Sequence, residues 1–535
     1  MEMSRRLVLA SGATLLLPLP AFGQTGPTVE TAYGKVRGVS ADGVHVFKAI
    51  PYGDTTTGAN RFMPPKPPKP WTGVKDCFEY GPQTPQGDGT PETPAPSKYT
   101  RLYAGRPEKQ SEDCLILNIW TPALDNKKRP VFFWIHGGGF STGSGSSPWY
   151  DGTNVAKKQD VVVVTINHRL NVFGYAHLGA FSAKYADSSN NGTLDCIAAL
   201  KWVKENIGRF GGDPSRVMVH GQSGGGRKTT MVLATTPAQG LYQRAVIQSG
   251  SQLRVDTPET GERKARALLA ALNIDPKDVD KLQQVPLLDI QKVQGKAAGA
   301  GQQWMPVAGS PSLPDHPFNG KAPTMSKDIP VMVGTCRTEQ SGFMGVDEAM
   351  DHLTDDQLKT RLNAVQKGQG DALYAMYKRL YPKSGNPEIL YMAATDRGYF
   401  LDSTILAGIR ADAGGGKTYM YNFYRETPVD GGRYFAPHAE EIPFVFDSLA
   451  KGATIAGPVT PESQKLADQV SELWATFART GTPAAKGIPA WTPYNSKTRP
   501  TMVINTTSHM ENDVRSEQRK TMLAFGSQQE AYGKA

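Results

Sequence analysis

"SRVMVHGQSGGGRKTTMVLATTP", residues 215–237, runs from a compact apolar segment through a glycine-framed serine into a helix-forming segment. A strand, a sharp turn and a helix in that order present the side chain at the turn, here Ser223, at the tip of the bend. Such a turn is strained and brings neighbouring backbones close, which is what the glycines around Ser223 allow. A hydroxyl at a helix N-terminus also sits where developing negative charge is favoured. The pattern G-x-S-x-G occurs a second time, at Gly139–Gly143 around Ser141. There the apolar run "VFFWI" ends well before the serine and "STGSGSSP" cannot continue as a helix. The nucleophile is therefore read as Ser223, and Ser141 as a coincidence of pattern.

Ser141 nevertheless lies in a second informative element. "HGGGF" (His136–Phe140) follows its strand directly, and free backbone N–H groups in a glycine run can converge on an oxyanion. A serine hydroxyl also needs a base to take its proton and an acid to orient that base. Of nine histidines, His438 is selected: it follows the apolar run "YMYNFY", lies in "APHAEEIPFVF" and comes late in the chain, after the serine. For the acid, Glu339 in "TCRTEQSGF" follows a strand end between serine and histidine. Asp315 and Asp351 are alternatives on chain order alone.

Outward from this motif, short apolar runs alternate with helical patterns. "VFFWI" (131–135), "VVVVTI" (161–166), "RVMVH" (216–220), "RAVIQ" (244–248), "PVMVG" (330–334), "YMYNFY" (419–424) and "TMVIN" (501–505) include runs that are apolar on both faces, as parallel strands buried between helices must be. With helical stretches such as "LDCIAALKWVKENIGRF" between them, the expected fold class is α/β, with a large, mostly parallel central sheet and flanking helices. Helical insertions are expected near residues 255–300 and 345–410, building the walls of the site. The Pro/Gly/Thr-rich segment 81–110 reads as a surface loop or flap. With no repeat and no clean linker, residues 24–535 are expected to form one catalytic domain.

The chain has 535 residues, is 39% hydrophobic and 20% charged, and carries a formal charge of +9. The cations are scattered, so no nucleic-acid partner is expected, and no segment after residue 23 is long and apolar enough to cross a bilayer, so no stable membrane insertion is expected. Residues 1–23 ("MEMSRRLVLASGATLLLPLPAFG") read as an export signal, with Arg5-Arg6 favouring a bacterial twin-arginine type over the general secretory route. The mature protein is then expected to be soluble and periplasmic or secreted. Four cysteines are too few for a disulfide scaffold and lack metal-site spacing. One bridge, Cys77 to Cys114, is weighed against buried free thiols. No metal and no organic cofactor are expected.

Taken together, these residues resemble the type-B carboxylesterases, the α/β-hydrolases that include cholinesterases and bacterial p-nitrobenzyl esterases. "FKAIPYG", "RFMPPKPPKPW", "EDCLILNIWTP", "NHRLNVFGY", "IGRFGGDPSRV", "AVIQSG" and "HAEEIPFVF" carry the resemblance over nearly the whole chain after residue 23. It implies Ser223, Glu339 and His438 as the catalytic triad, Gly138, Gly139 and Gly224 as oxyanion donors, and Arg61 with Glu112 as a structural ion pair. Several positions depart from the family. Gln222 stands where Glu is usual, Gly224 where Ala is usual and Gln340 where Gly is usual. Thr84 takes the place of the cysteine that usually pairs with the one in "EDCL". Arg227 and Lys228 in "GGRK" are read as solvated cations that could also favour anionic substrates. Trp149, Trp304 and Phe343 are candidate wall residues. The expected activity is serine-dependent hydrolysis of a small to medium, neutral or anionic carboxylic ester through an acyl-enzyme. The alternatives are a non-catalytic binding protein of the same family and an acyltransferase on the same fold.

Overall fold

The computed structural model describes residues 26–87, 102–103 and 108–532. The expected export signal (1–23) and most of the 81–110 loop lie outside the described residues.

An eleven-stranded sheet organises the chain. In chain order its strands are β1 (Val39–Ala41), β2 (Val44–Pro51), β3 (Ile116–Thr121), β4 (Arg129–Ile135), β5 (Val162–Ile166), β6 (Gly212–Gln222), β7 (Arg244–Gln248), β8 (Val331–Cys336), β9 (Thr418–Phe423), β10 (Pro500–Ile504) and β11 (His509–Asn512). Across the sheet the order is β11-β10-β9-β8-β7-β6-β4-β5-β3-β2-β1. The block from β10 to β5 is parallel throughout. Antiparallel strands close both edges. The seven apolar runs read from the sequence fall on the seven parallel strands. A three-stranded sheet of Thr28–Glu30, Lys35–Arg37 and Val74–Asp76 is separate from it.

The parallel strands are apolar on both faces because both faces are covered. Val131, Phe133, Ile135, Val217 and Val219 point to one side and pack with Ile197, Leu200 and Val203 of helix α1 (Asn191–Asn206). Phe132, Trp134, Val163 and Met218 point to the other and pack with Val470, Leu473, Trp474 and Phe477 of helix α3 (Pro461–Thr480). Between them in sequence, α2 (Gly224–Ala234) leaves the C-terminal end of β6. Helices at Pro258–Ala271 and Leu287–Ala298, and a group from Asp355 to Ala413, each build an apolar cluster of their own beside the C-terminal ends of the strands.

Arg61 and Glu112 form a buried two-pronged pair at 2.6 and 2.7 Å, and Arg61 Nη1 also donates to the Val285 carbonyl at 2.6 Å. The pair ties the N-terminal segment to the insertion around residue 285. Cys77 and Cys114 are both buried free thiols, so the bridge weighed from the sequence is not formed. Thr84 Oγ1 instead lies 3.2 Å from Cys114 Sγ, occupying the position of the missing partner.

Candidate active site

Ser223 stands between β6 and α2 with φ 57° and ψ −122°, a conformation that L-residues rarely adopt. Its N–H donates to the Gln248 carbonyl on the neighbouring β7 at 2.8 Å, and its carbonyl accepts the Arg227 N–H at 2.9 Å. The turn closes only because the adjoining residues lack side chains. A Cβ on Gly221 would lie 2.5 Å from the Ile135 carbonyl oxygen, and one on Gly225 would lie 2.0 Å from it. The strand-turn-helix order therefore holds the serine out from the sheet, as the local sequence dictates.

The glycine loop after β4 runs directly alongside. Gly138 (φ 86°) and Gly139 (φ 62°) turn left-handed, and the Gly138 carbonyl accepts the N–H groups of Ser141 (3.2 Å) and Thr142 (2.9 Å). The backbone N–H groups of Gly138, Gly139 and Gly224 donate to no acceptor among the described residues. Gly224 and Gly139 touch so closely that a Cβ on Gly224 would lie 2.3 Å from the Gly139 nitrogen. Ser141 sits on the loop, with no helix after it.

His438 lies beyond β9, before the short helix Ile442–Val445. Its Nδ1 is 2.5 Å from Glu339 Oε2. The other Glu339 oxygen accepts the Cys336 N–H at 2.7 Å, so the carboxylate is fully buried yet held at both ends. Phe343 and Tyr399 flank the imidazole, each with its centroid 5.1 Å away. Asp315 and Asp351 are exposed and paired with Lys321 and Arg433 elsewhere. Gln222 Nε2 lies 3.2 Å from His438 Nε2, so an amide occupies the place where the family usually has a carboxylate. Ser223 and His438 line one cavity of about 650 Å³ together with Gly137, Gly138 and Gly139. No hydrogen bond joins the two side chains.

Several side chains sit where sequence reasoning did not put them. Lys228 is not solvated: it is fully buried, and its Nζ donates to the His136 carbonyl at 3.2 Å. Burial pulls its ammonium down to about 7. His136 and His168 stack 4.7 Å apart close by, and burial holds both well below the usual histidine range. Trp149 and Phe343 line the cavity, but Trp304 does not; it is buried in the core with Nε1 donating to the Gln294 carbonyl. Gln303, which no sequence signal marks, reaches the glycine loop, where its Oε1 accepts the Phe140 N–H at 3.0 Å. Glu441 was visible in "HAEEIPFVF" only as one charge among several. It is buried beside Cys336, and burial and the neighbouring Glu339 push it up to about 7. No group of side chains suited to a metal ion occurs among the described residues.

The profile described as the carboxylesterase family matches residues 25–522. This chain belongs to the carboxylesterase family. As a carboxylesterase it is 35% identical over 506 residues to the para-nitrobenzyl esterase of Bacillus subtilis (strain 168), covering 93% of this chain and 99% of the relative. It is 29% identical to a phenmedipham hydrolase of Pseudarthrobacter oxydans, covering 90% and 95% of the two chains. Among solved structures, the carboxylesterase EST55 of Geobacillus stearothermophilus superposes with a TM-score of 0.79 at 37% identity, covering 92% and 99%. The large sheet with helices on both faces is thus the α/β-hydrolase fold, and the enzyme hydrolyses carboxylic esters through an acyl-enzyme.

Proposed function

We propose that Ser223, His438 and Glu339 perform this hydrolysis, with the N–H groups of Gly138, Gly139 and Gly224 as the oxyanion hole. The observation that carries the reading is the 2.5 Å contact between His438 Nδ1 and Glu339 Oε2 at the rim of the cavity that also holds Ser223. The carboxylate fixes the tautomer with its proton on Nδ1, leaving Nε2 as the acceptor. Ser223 Oγ attacks the ester carbonyl carbon while Nε2 takes its proton. The carbonyl oxygen gains the electron pair and is held by the three N–H groups. The alcohol leaves with the proton from His438, and water repeats the sequence on the acyl-serine to release the acid. The hydrogen bond from Ser223 to Nε2 forms in the substrate complex, displacing the Gln222 amide; such bonds are commonly long before substrate binds.

The substrate class in this reading is a small to medium, neutral or anionic ester. Gln222 contributes no charge beside the nucleophile, which argues against selection for cationic esters. The N-terminal sequence supports export, in which case a bacterial cell would deliver a chain beginning at Gln24 to the periplasm or the medium. No helix among the described residues is long and apolar enough to cross a membrane.

The test is initial-rate hydrolysis of p-nitrophenyl acetate, butyrate and octanoate, with mass mapping of the adduct left by a fluorophosphonate. Turnover of the shorter esters with the adduct on Ser223 is expected. An adduct on any other serine would overturn the assignment.

A further inference from the structure

The elbow helix carries a second cation that the hydrolysis does not use. Arg227 lies one turn beyond Ser223 on α2 and lines a separate cavity of about 240 Å³ with Asp256, Arg263, Lys264, Gln302 and Gln303. Charge in this cavity is unbalanced. Lys264 is neutralised by Asp256 at 2.6 Å. Arg263 is exposed, and its guanidinium donates to the neutral Gln302 Oε1 at 3.4 Å. The Arg227 side chain is half-buried and makes no hydrogen bond or ion pair among the described residues. The buried Asp402 carboxylate attracts it only through space: its oxygens accept from Ser527 (2.6 Å) and Gln529 (2.7 Å), and burial raises it to about 6 against the pull of Arg227. The half-buried Arg227 and the exposed Arg263 therefore give this cavity an excess of positive charge beside the Asp256–Lys264 pair, and neither guanidinium is hydrogen-bonded to a carboxylate.

The cavity adjoins the catalytic one. Gly301, Gln302 and Gln303 line both, and Gln303 also accepts the N–H of Phe140 on the glycine loop. Four residues of helix rise and an extended arginine arm put a carboxylate held there roughly 10 Å from the reacting serine.

We propose that this cavity is a subsite for a free carboxylate on the far end of the ester substrate, so that the enzyme takes half-esters of medium-length dicarboxylic acids, held by Arg227 and Arg263. The proposal rests on the hydrolase reading above. Hydrolysis consumes one water, the acyl C–O bond breaks, and the products are the dicarboxylic acid and the alcohol. Arginine suits the task because its planar fork pairs with both oxygens of a carboxylate.

The experiment compares monoethyl and diethyl esters of the C4, C6, C8 and C10 α,ω-dicarboxylic acids on wild type, Arg227→Gln, Arg263→Gln and the double variant. For wild type, kcat/KM for the monoesters relative to the diesters should peak at C6 to C8. Each single variant should raise KM for the preferred monoester about tenfold, and the double variant about a hundredfold, with less than twofold change for the matching diester. Such losses are what a charge-assisted pair contributes. Parallel changes for monoester and diester, or a wild type that disfavours the monoester at every length, would overturn the subsite. Wild type inert toward monoesters, diesters and p-nitrophenyl butyrate alike would instead overturn the hydrolase reading, so the two failures are distinguishable.

Discussion

Replacing Lys228 by methionine tests whether a buried ammonium beneath the glycine loop costs stability at neutral pH. The side chain is wholly buried with one acceptor, the His136 carbonyl, and the stacked His136 and His168, the Cys196 thiol and the Arg227 guanidinium are its titratable neighbours. Burial lowers it from 10.5 to about 7. Between these values the unfolded chain keeps the proton and the folded protein releases it. The unfolded state thus binds more protons, and stability rises with pH, by at most about 1.4 kcal/mol per unit. Starting half-titrated at pH 7 and ending fully neutral at pH 9, the gain integrates to about 2 kcal/mol. Other groups add their own slopes, but the difference between wild type and Lys228→Met isolates this one. Urea unfolding followed by tryptophan fluorescence at pH 7, 8 and 9 should show the advantage of the methionine variant shrinking by about 2 kcal/mol across the range. A difference constant within 0.5 kcal/mol (roughly the error of such fits) would refute the reasoning.

Gly224→Ala should lower kcat about 10²-fold with little change in KM, because its Cβ would lie 2.2 Å from the Gly139 carbonyl oxygen and push the glycine loop off the oxyanion; steady-state kinetics on p-nitrophenyl butyrate check it, and wild-type kcat would show that the loop yields freely. Gln222→Glu should raise the ratio of kcat/KM for butyrylthiocholine over p-nitrophenyl butyrate about tenfold, the effect of one carboxylate roughly 10 Å from a cation at an effective dielectric near 20; an unchanged ratio would contradict the role given to Gln222. Arg61→Met strands the buried Glu112 carboxylate and should cost about 3–5 kcal/mol in a urea titration, and a loss below 1 kcal/mol would mean that water reaches the pair.

The parallel strands were legible because a strand covered on both faces must be apolar at every position, and β4, β5 and β7 announce this in five residues or so. The antiparallel strands β1, β2 and β11 were not, since each has exposed or half-exposed positions and their sequences lack that continuous apolar signal. The strained turn at Ser223 was readable because it demands glycines at fixed offsets, and the meeting of Glu339 and His438 because each follows a strand end. Lys228 was misread for a physical reason: a charge on a helix is usually solvated, and its burial depends on α2 lying against the sheet beneath His136, a contact made 92 residues away. Trp304 failed likewise. An aromatic residue in an insertion can turn toward the cavity or the core, and the hydrogen bond to Gln294 that fixes it inward has no local signature. The free thiols follow from one substitution, Thr84, that the sequence displayed openly.

The central claim is that Ser223 attacks the ester, and kcat/KM for p-nitrophenyl butyrate measured on wild type and Ser223→Ala tests it most directly. A correctly folded Ser223→Ala enzyme, verified by circular dichroism, should fall by about 10⁴-fold or more, the loss that follows removal of a nucleophile working with its base as a unit. Activity retained within tenfold of wild type would contradict the account.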